Sequence, residues 1–330
     1  MKKYQVYGIG NALVDMEIEV STKYLSEMGV KKGLMTLVDQ QRQDQLLSKI
    51  DGHQHRRSCG GSAANTIIAV AQLGGKVFYS CKVANDEAGD FYLSDLRKNG
   101  VDTNLGDQRP QGITGKCMVF ITPDADRTMN SFLGITESFS TNELNFDLLS
   151  QSEYLYMEGY LVTSATGKAA AIKAKEHARN NGVKVALTFS DPGIVGNFKS
   201  GFVEMIGDGV DLLFCNEAEA LSFSGKSNFH EAVAELKKHT KSLAITRGPR
   251  GAYLLDGEKE IIIITKQVEA IDTNGAGDLF AGAFLWAITH GKTFAEAGEL
   301  ACRASSELVT RFGARLDKET LQAIKSSLFQ

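Results

Sequence analysis

The fold is decided by a stretch in which an alanine-rich segment passes through one glycine into a short β-branched segment. Residues 166–181 read TGKAAAIKAKEHARNN, and after Gly182 residues 183–189 read VKVALTF. The first segment has helical spacing, and the second places apolar side chains at every second position, which is typical of a strand. Because asparagine followed by glycine commonly ends a helix, the stretch predicts one helix–strand unit of an α/β fold.

The same alternation extends along the chain on both sides. Strand-like runs occur at residues 5–9, 77–83, 116–121, 211–215, 242–246, 251–255 and 260–265, and helix-like runs at 63–73, 86–99, 229–239, 278–290 and 294–309. Strands that alternate with helices predict a mostly parallel sheet covered on both faces. With right-handed crossovers the result is a doubly wound α/β sandwich, and we expect residues 1–330 to form one such domain.

Two regions break this alternation, at about residues 12–40 and 108–135. Within them, residues 16–20 and 117–121 alternate polar and apolar side chains, which predicts half-exposed strands. We expect these strands to pair into a small β-sheet that forms a lid beside the main domain. The alternative is that they are edge strands of the main sheet.

Composition and charge exclude several classes of protein. The chain of 330 residues has a formal net charge of −4, so neither nucleic acid nor a membrane surface is an expected partner. No stretch of 18 apolar residues occurs, and no transmembrane helix is predicted. The five cysteines are scattered and odd in number, which favours reduced thiols and a cytoplasmic protein. No residue decides between a monomer and a homodimer.

The strongest local motif is DTNGAGD at residues 272–278, which precedes a predicted alanine-rich helix. Gly275, Ala276 and Gly277 let an anion approach backbone amides at a helix N-terminus, where the helix dipole favours negative charge. Asp278 then falls beside that anion and is placed to accept a proton from a hydroxyl that attacks a phosphoryl group. The alternative is a glycine-rich turn in which Asp278 only caps the helix.

Other nucleotide-binding motifs are incomplete. Gly225-Lys226-Ser227 and Gly291-Lys292-Thr293 both lack the glycine that a Walker loop requires five positions earlier. The segment after Gly8 lacks the third glycine of a dinucleotide fingerprint. The sequence therefore favours neither a P-loop protein nor a dinucleotide-dependent oxidoreductase.

Two segments are suited to hold the hydroxyls of a small sugar-containing molecule. Gly60 and Gly61 open a helix that carries Asn65, and Asn11 and Asp15 follow the first strand. Glycine lets a ligand lie against the backbone, while amide and carboxylate groups pair with vicinal hydroxyls. The alternatives are a helix start packed on the sheet and ordinary turn residues.

Two other segments are suited to a nucleotide triphosphate and its metal. Asn216 and Glu219 follow a predicted strand, and Glu219 is expected to act on Mg²⁺ through water. The alternative is that the two residues only form a helix N-cap with acidic residues in the first turn. The other segment follows the strand at 242–246 and comprises Thr246, Arg247, Gly248 and Gly251. Arg127 is a lone cation on the predicted lid, which either stabilises charge during transfer or is a surface residue.

Together and in this order, these motifs resemble those of the ribokinase-like family of carbohydrate and nucleoside kinases, also called the PfkB family. The resemblance covers essentially the whole chain. It is carried by the DTxGAGD-like run at 272–278, the N-terminal signature at Gly60, Gly61 and Asn65, the NxxE motif at 216–219, and the TRG segment at 246–248.

The resemblance implies a Rossmann-like αβα core with a β lid that closes over the substrate. It implies that Asp278 is the catalytic base and that residues 275–277 form an anion hole. It also implies ATP and Mg²⁺ as cofactors, often with K⁺ as an activator.

Several segments look more similar to the adenosine kinase branch than to sugar kinases. Residues 10–15, GNALVD, resemble the segment that holds ribose in that branch, and residues 210–220, VDLLFCNEAEA, resemble another of its segments. Arg127 with Thr128 resembles its lid arginine. The D-x-N-x-R pattern of many sugar kinases is not completed after Asp191.

The sequence also departs from that branch. Ser62-Ala63-Ala64 replaces its usual polar run and removes a side chain near the pocket. Phe132, Phe139 and Tyr160 are candidates to stack on a nucleobase. No cluster of Lys or Arg lies near the substrate motifs, which disfavours a phosphorylated sugar.

We therefore expect an ATP-dependent kinase that phosphorylates the 5′-hydroxyl of adenosine or a related ribonucleoside. One alternative is a kinase of the same family for a free sugar such as ribose or fructose. Another is a non-catalytic sensor that keeps the fold, although such a protein would not need an intact 272–278 motif.

Overall fold

The computed structural model describes residues 2–33, 35–50, 55–124 and 126–329. Leu34 and Ala125, which fall inside the two predicted lid segments, lie outside the described residues. The strands are β1 (Tyr4–Ile9), β2 (Leu13–Glu19), β3 (Met35–Leu37), β4 (His55–Gly60), β5 (Val77–Ser80), β6 (Asp102–Thr103), β7 (Thr114–Ile121), β8 (Arg127–Gly134), β9 (Ser152–Met157), β10 (Lys184–Thr188), β11 (Val210–Asn216), β12 (Thr240–Thr246), β13 (Ala252–Asp256) and β14 (Lys259–Ile263).

The α-helices fall mostly between these strands. They are α1 (Thr22–Glu27), α2 (Gln40–Ile50), α3 (Ser62–Gln72), α4 (Glu87–Lys98), α5 (Phe146–Ser150), α6 (Ala165–Asn180), α7 (Pro192–Asn197), α8 (Lys199–Ile206), α9 (Glu217–Ser224), α10 (Phe229–Leu236), α11 (Ala276–Thr289), α12 (Phe294–Leu308) and α13 (Lys318–Leu328). Several begin at side-chain caps. Ser164, for example, accepts a hydrogen bond from the Gly167 amide at the start of α6.

The main sheet confirms the predicted doubly wound α/β sandwich. Its strand order is β14-β13-β12-β11-β10-β9-β1-β5-β6. The strands from β6 to β12 run parallel, and β13 and β14 are antiparallel additions at one edge. One apolar cluster packs α3, α4, α11, α12 and α13 on one face, and a second packs α5 to α10 on the other.

The second sheet is the expected small lid sheet rather than an edge of the main one. Its order is β3-β8-β7-β2-β4. β4 comes from outside both predicted lid segments and pairs antiparallel with β2, so that Leu13 lies opposite Gly60. This pairing brings the glycine pair at 60–61 next to the segment that follows β1.

The prediction that the lid strands are half exposed was wrong for β7, in which every position except Lys116 is buried. In β2, four of seven positions are buried, two are partly exposed and Glu19 is exposed. Side chains on the outer face of the sheet, such as Ile18 and Phe120, pack against Leu25 of α1 and Leu46 of α2. The alternation in the sequence therefore marks one apolar face under helices and one more polar face toward the main domain.

The sheet topology gathers the loops that carry the predicted motifs. β9, which the sequence analysis did not identify, lies beside β1 in the middle of the main sheet. The chain leaves β1, β9, β10, β11 and β12 at the same edge, because these strands are parallel. In open α/β sheets, ligands bind at this carboxyl edge.

Close packing of two helices adds the last motif to this edge. Gly282 of α11 lies against α3, and a methyl group there would come within 2.6 Å of the Thr66 carbonyl oxygen. The contact brings the N-terminal turns of α3 and α11 together.

Candidate active site

A cavity of about 770 Å³ lies between the carboxyl edge of the main sheet and the lid sheet. Its volume is within the range of small-molecule sites. The predicted residues that line it are Asn11, Asp15, Gly61, Asn65, Arg127, Asn216, Glu219, Thr246, Gly248, Gly251, Gly275, Ala276, Gly277 and Asp278. Two other predicted residues, Gly60 and Arg247, are not among the described residues that line it.

Asp278 lies in the first turn of α11, and two side chains of α3 hold its carboxylate. Ser62 Oγ donates a hydrogen bond to Asp278 Oδ1 at 2.6 Å, and Asn65 Nδ2 donates to Oδ2 at 3.0 Å. Burial raises the pKa of Asp278 above its ordinary value, and the two hydrogen bonds oppose this rise. The N-cap of α11 is Gly275, so Asp278 is not the helix cap that the alternative interpretation required. A fixed carboxylate with raised proton affinity suits a general base.

The turn before Asp278 leaves amide groups available to an anion. Gly275 has φ of 72°, and a methyl group on it would overlap the carbonyl oxygen of Ala314. The amides of Gly275, Gly277 and Asp278 donate to no other residue that the structure describes, whereas the Ala276 amide reaches the Thr273 carbonyl at 3.3 Å. The free amides at this helix N-terminus fit an anion, and Ala276 is the one predicted member already engaged within the turn.

Asp15 is a buried carboxylate without a hydrogen-bond donor in the described part of the chain. It is 7 % exposed on β2, and Gly60 packs so closely that a methyl group there would overlap its oxygens. Burial and the nearby Glu17 raise the pKa of Asp15 to about 7, against the opposing charge of Arg315. A buried acceptor that faces a cavity suits the hydroxyl donors of a ligand. Gly60 therefore serves this site by packing against Asp15 rather than by lining the cavity.

Glu158 is a residue of the site that the sequence analysis missed. It follows β9 directly, is 1 % exposed and accepts hydrogen bonds from the amides of Asn11, at 3.2 Å, and Ala63, at 2.8 Å. Burial raises the pKa of Glu158 to about 8, although the two amides oppose the rise. The available signal was an acid immediately after a short apolar run.

Gly61 and Asn65 complete this end of the cavity. Gly61 has φ of 97°, and a methyl group on it would overlap the carbonyl oxygen of Asn11. Asn65 gives its amide hydrogen to Asp278, while its Oδ1 is buried and has no partner among the described residues. Asn65 thus has one acceptor free for a ligand hydroxyl.

Arg127 is not a surface residue. Its guanidinium is 8 % exposed, contacts the carboxylate of Asp272 and lies 3.8 Å from Glu17 Oε1. Asp272 also accepts hydrogen bonds from the Asn274 and Gly313 amides, at 2.9 and 2.8 Å. The first residue of β8 therefore connects the lid to the turn that precedes Asp278.

Asn216 and Glu219 form the N-cap that was the alternative interpretation of this motif. The Asn216 side chain accepts from the Glu219 amide at 2.8 Å, and the Asn216 amide donates to Glu219 Oε2 at 3.0 Å. Asn216 Nδ2 donates to Glu219 Oε1 at 2.8 Å. Burial raises the pKa of Glu219 to about 8. Both oxygens of Glu219 are thus held within the cap while the residue lines the cavity.

Arg247, which is predicted to bind the nucleotide, is not among the described residues that line the cavity. Its Nε donates to Glu217 Oε2 at 3.1 Å, and its guanidinium lies 4.0 Å from the centre of the Phe229 ring. These contacts hold the side chain against α9 and α10, whereas Thr246, Gly248 and Gly251 line the cavity. The place of Arg247 after a strand did not show where its side chain points, because its partners Glu217 and Phe229 lie on α9 and α10.

Only one of the three aromatic candidates lines the cavity. Tyr160 does so, whereas Phe139 is fully buried in the apolar cluster on one face of the main sheet. Phe132 alternates on β8 with the cavity-lining Met129, Ser131 and Leu133, and so belongs to the opposite face of that strand. The lid instead presents an aliphatic and thioether wall of Leu13, Met35, Leu37, Met129 and Leu133.

The model of the pfkB family of carbohydrate kinases matches residues 31–321. The chain belongs to this family. The solved structure of a probable sugar kinase from Rhizobium etli is 31% identical with a TM-score of 0.91, over 100% of each chain. That of the adenosine kinase from Sinorhizobium meliloti is 32% identical with a TM-score of 0.91, over 98% of this chain and 99% of that one. The adenosine kinase of Schizophyllum commune is 25% identical over 98% of this chain and 100% of its own length.

As a member of the pfkB family, the protein is an ATP-dependent kinase whose substrates are small molecules of the nucleoside or sugar class. We call the part of the cavity lined by Asn11, Asp15, Gly61 and Asn65, which are predicted to hold the acceptor, its acceptor end, and we include Glu158 because it bonds the Asn11 amide. We call the part lined by Asn216, Thr246, Gly248 and Gly251, which are predicted to bind the nucleotide, its nucleotide end, and we include Glu219 because it is bonded to Asn216. The 275–278 turn lines the cavity together with both groups.

The residues of this kinase fit Mg²⁺ only as a partly hydrated ion. Within the described ranges, no three His, Cys, Asp or Glu side chains are grouped so that they alone would hold a metal. Glu219 lines the cavity and has both oxygens occupied by Asn216, so it would reach a bound metal through water rather than as a direct ligand. Magnesium in kinases usually keeps several waters and the phosphate oxygens of its nucleotide.

Among the helices of the described ranges, none has the length and apolar character needed to cross a membrane.

Proposed function

We propose that this kinase transfers the γ-phosphoryl group of ATP to the 5′-hydroxyl of adenosine or a related ribonucleoside. The observation that carries the proposal is the carboxylate of Asp278, held by Ser62 and Asn65 in the turn next to the free amides of Gly275 and Gly277. In the reaction, Asp278 accepts the hydroxyl proton as the oxygen attacks the γ-phosphorus. The bond from the γ-phosphorus to the bridging oxygen breaks, and ADP leaves.

The amides of the 275–278 turn stabilise the charge that develops on the transferred group. Arg127 is proposed to assist from the lid, where it already contacts Asp272. Magnesium, when bound, neutralises charge on the triphosphate, and Glu219 is proposed to orient its water ligands. Thr246, Gly248 and Gly251 are proposed to border the triphosphate at the nucleotide end.

The acceptor end is proposed to hold ribose. Asp15 is an unpaired buried acceptor, and Asn65 Oδ1 is a second one, so both suit the hydroxyl donors of a sugar. The wall of leucine and methionine on the lid suits the apolar faces of a nucleobase, since flexible thioethers adapt to planar groups. Adenosine kinases stand among the relatives at both the sequence and the structural level.

Phosphorylation of a free sugar is the second candidate. It is favoured by the similarity to the probable sugar kinase from Rhizobium etli. Under this hypothesis the lid wall would close on the sugar ring without a base.

The test is consumption of ATP with Mg²⁺, with and without K⁺, across adenosine, inosine, guanosine, cytidine, ribose, fructose and fructose 6-phosphate. Turnover of a purine nucleoside without turnover of ribose is the expected result. Turnover of a free sugar alone would replace the nucleoside proposal with the second candidate. No turnover with any member of the panel would contradict both candidates.

The buried free cysteines support the further proposal of a reducing, cytoplasmic location.

A further inference from the structure

Two buried tyrosine hydroxyls lie behind the acceptor end and hold its backbone. Tyr79 on β5 donates a hydrogen bond to the carbonyl oxygen of Asn11 at 3.0 Å. Tyr92 on α4 donates to the carbonyl oxygen of Gly60 at 3.0 Å. Both side chains are 0 % exposed and neither lines the cavity, so any effect on a ligand must pass through the backbone.

The two carbonyl groups belong to segments that form the acceptor end. The Asn11 carbonyl packs against the α-carbon of Gly61, where a methyl group would overlap it. The Asn11 amide donates on its other side to Glu158 at 3.2 Å. The peptide groups on both sides of Asn11 are therefore fixed, one by an acid and one by a phenol.

Gly60 connects the second tyrosine to the carboxylate of the site. Its α-carbon packs against Asp15, which has no donor of its own in the described chain, and its carbonyl receives Tyr92. A shift of this peptide would move Gly60 relative to Asp15 and Gly61 relative to the cavity. Close packing on both sides transmits such a shift, because protein interiors have few voids to absorb it.

Both phenols remain protonated donors near neutral pH. Burial, with a smaller contribution from nearby thiols, raises the pKa of Tyr79 and Tyr92 well above the ordinary phenol value. Their hydrogen bonds to the two carbonyl groups are thus independent of pH near neutrality.

We propose that Tyr79 and Tyr92 are positioning residues for the acceptor substrate: through the Asn11 and Gly60 carbonyls they set the spacing between the two backbone segments that hold its hydroxyls. The inference rests on the proposed role of Asn11, Asp15 and Gly61 in acceptor binding. It assigns no contact with the substrate to either tyrosine.

The variants Tyr79→Phe and Tyr92→Phe keep the ring and remove only the hydroxyl. Each leaves a buried carbonyl without its donor, and the segment is then expected to relax away from the position that fits the acceptor. We expect KM for the acceptor to rise about tenfold in each variant, the factor that corresponds to one buried hydrogen bond. KM for ATP and kcat are expected to change less than twofold, because the nucleotide end and Asp278 do not contact these tyrosines.

Tyr7→Phe is the matched control. Tyr7 is also 0 % exposed, and its hydroxyl bonds Ser80 Oγ at 2.6 Å and the Asn145 amide at 2.7 Å, none of which lines the cavity. The control should lose thermal stability to a similar extent as the two variants while leaving KM for the acceptor unchanged. Kinetics are measured at a temperature where thermal unfolding shows all four proteins to be folded.

A second readout separates positioning from general loosening of the fold. If the acceptor is a ribonucleoside, the ratio of kcat/KM for adenosine to that for 2′-deoxyadenosine should fall in Tyr79→Phe and stay constant in Tyr7→Phe. Equal KM shifts in all three variants, or shifts in KM for ATP as large as those for the acceptor, would overturn the inference. If the wild type phosphorylates only a free sugar, the nucleoside proposal fails, and the same KM comparison with that sugar still tests the tyrosines.

Discussion

At the acceptor end of the cavity a ligand meets several buried polar side chains, whereas at the nucleotide end it meets glycines, the half-buried Thr246 and one buried acid, Glu219, whose oxygens Asn216 already occupies. Asp15, Asn65 and Glu158 are each no more than 7 % exposed, and the pKa values of both acids are raised. At the other end, Thr246 is half-buried and Gly248 is exposed. Buried polar groups are costly when unpaired, so the acceptor end discriminates strongly between ligands that pair them and ligands that do not. The nucleotide end has fewer such groups and should tolerate side-chain changes better.

The largest expected effect is at the turn that borders both ends. Asp278→Asn keeps the shape of the side chain and removes the base, so kcat should fall by about two to four orders of magnitude. Steady-state assays of ATP consumption measure the decrease in kcat. Calorimetric binding of the acceptor to the variant is the control and should remain within a few-fold of the wild type. Turnover close to that of the wild type would contradict the role of Asp278.

Gly275→Ala should have the next largest effect. An alanine there would sit at positive φ and overlap the Ala314 carbonyl, which displaces the amides proposed to receive the phosphoryl charge. We expect kcat to fall by about two orders of magnitude, as for loss of one oxyanion donor. Gly182→Ala is the matched control, because Gly182 has φ of 65° and no atom within 4 Å of the added methyl group. It should lower Tm through backbone strain alone and leave kcat unchanged; an equally small effect of both variants on kcat would argue against the anion hole.

Because of Asp15, the affinity for the acceptor should depend on pH, whereas the affinity for ATP should not. Its pKa is raised to about 7, and only the ionised carboxylate offers both oxygens as acceptors without an O–H that competes with the hydroxyl donors. Acceptor affinity should therefore fall as pH decreases below 7, while ATP affinity changes little. Calorimetry in the Asp278→Asn background measures this without titration of the base. Adding Asp15→Asn should weaken acceptor binding about tenfold or more and remove the fall in affinity between about pH 7 and pH 5, below the pKa of about 8 of Glu158.

The ionised carboxylate of Asp15 should also lower the free energy of unfolding. Because the pKa of Asp15 is higher in the folded than in the unfolded chain, the folded state binds more protons, and the free energy of unfolding falls as pH rises from about 4 to 7. Asp15→Asn should therefore raise Tm at pH 8 more than at pH 4.5. Identical shifts at both pH values would show that the carboxylate is not desolvated in the free protein.

The smallest effect is expected for Arg247→Ala at the nucleotide end. Its guanidinium is engaged by Glu217 and Phe229 outside the cavity. KM for ATP should change less than twofold, while Tm falls slightly, since a partly exposed ion pair and a cation–π contact contribute about 1 kcal/mol or less each. A tenfold rise in KM for ATP would show that the Arg247 side chain turns into the cavity when nucleotide binds. The nucleotide end would then be less tolerant of side-chain changes than we expect.

Much of the main sheet could be predicted from sequence, because its strands and helices have strong local patterns. The runs at 183–189 and 211–215 appear as β10 and β11 with small changes at the ends. β9 was missed because its run, SEYLYM, is short, and a short apolar run cannot be told from part of a buried helix by periodicity, although Gly159 lies just beyond it. Missing β9 also hid Glu158, since the acid could be placed at the carboxyl edge only once the strand was known.

The lid was predictable as a second sheet but not in its details. Polar–apolar alternation indicates two different faces, and it does not say whether the apolar face meets solvent or another element. Here α1 and α2 cover that face, and α1 lies inside a region that showed few helical signals. The helix is short and derives its stability from the packing of Leu25 on the sheet rather than from propensity.

The sequence by itself determined the features that depend on neighbouring residues: the alternating α/β pattern, the glycine turn at 275, and the position of Asp278 in the first turn of α11. Only the tertiary structure decided which side chains act together, such as Ser62 and Asn65 on Asp278, Arg127 on Asp272, and Arg247 away from the cavity. Local conformation is set by dihedral preferences and hydrogen bonds within a few residues. These tertiary contacts join residues from 30 to 216 positions apart and depend on how strands pair and helices pack, which the local pattern does not fix.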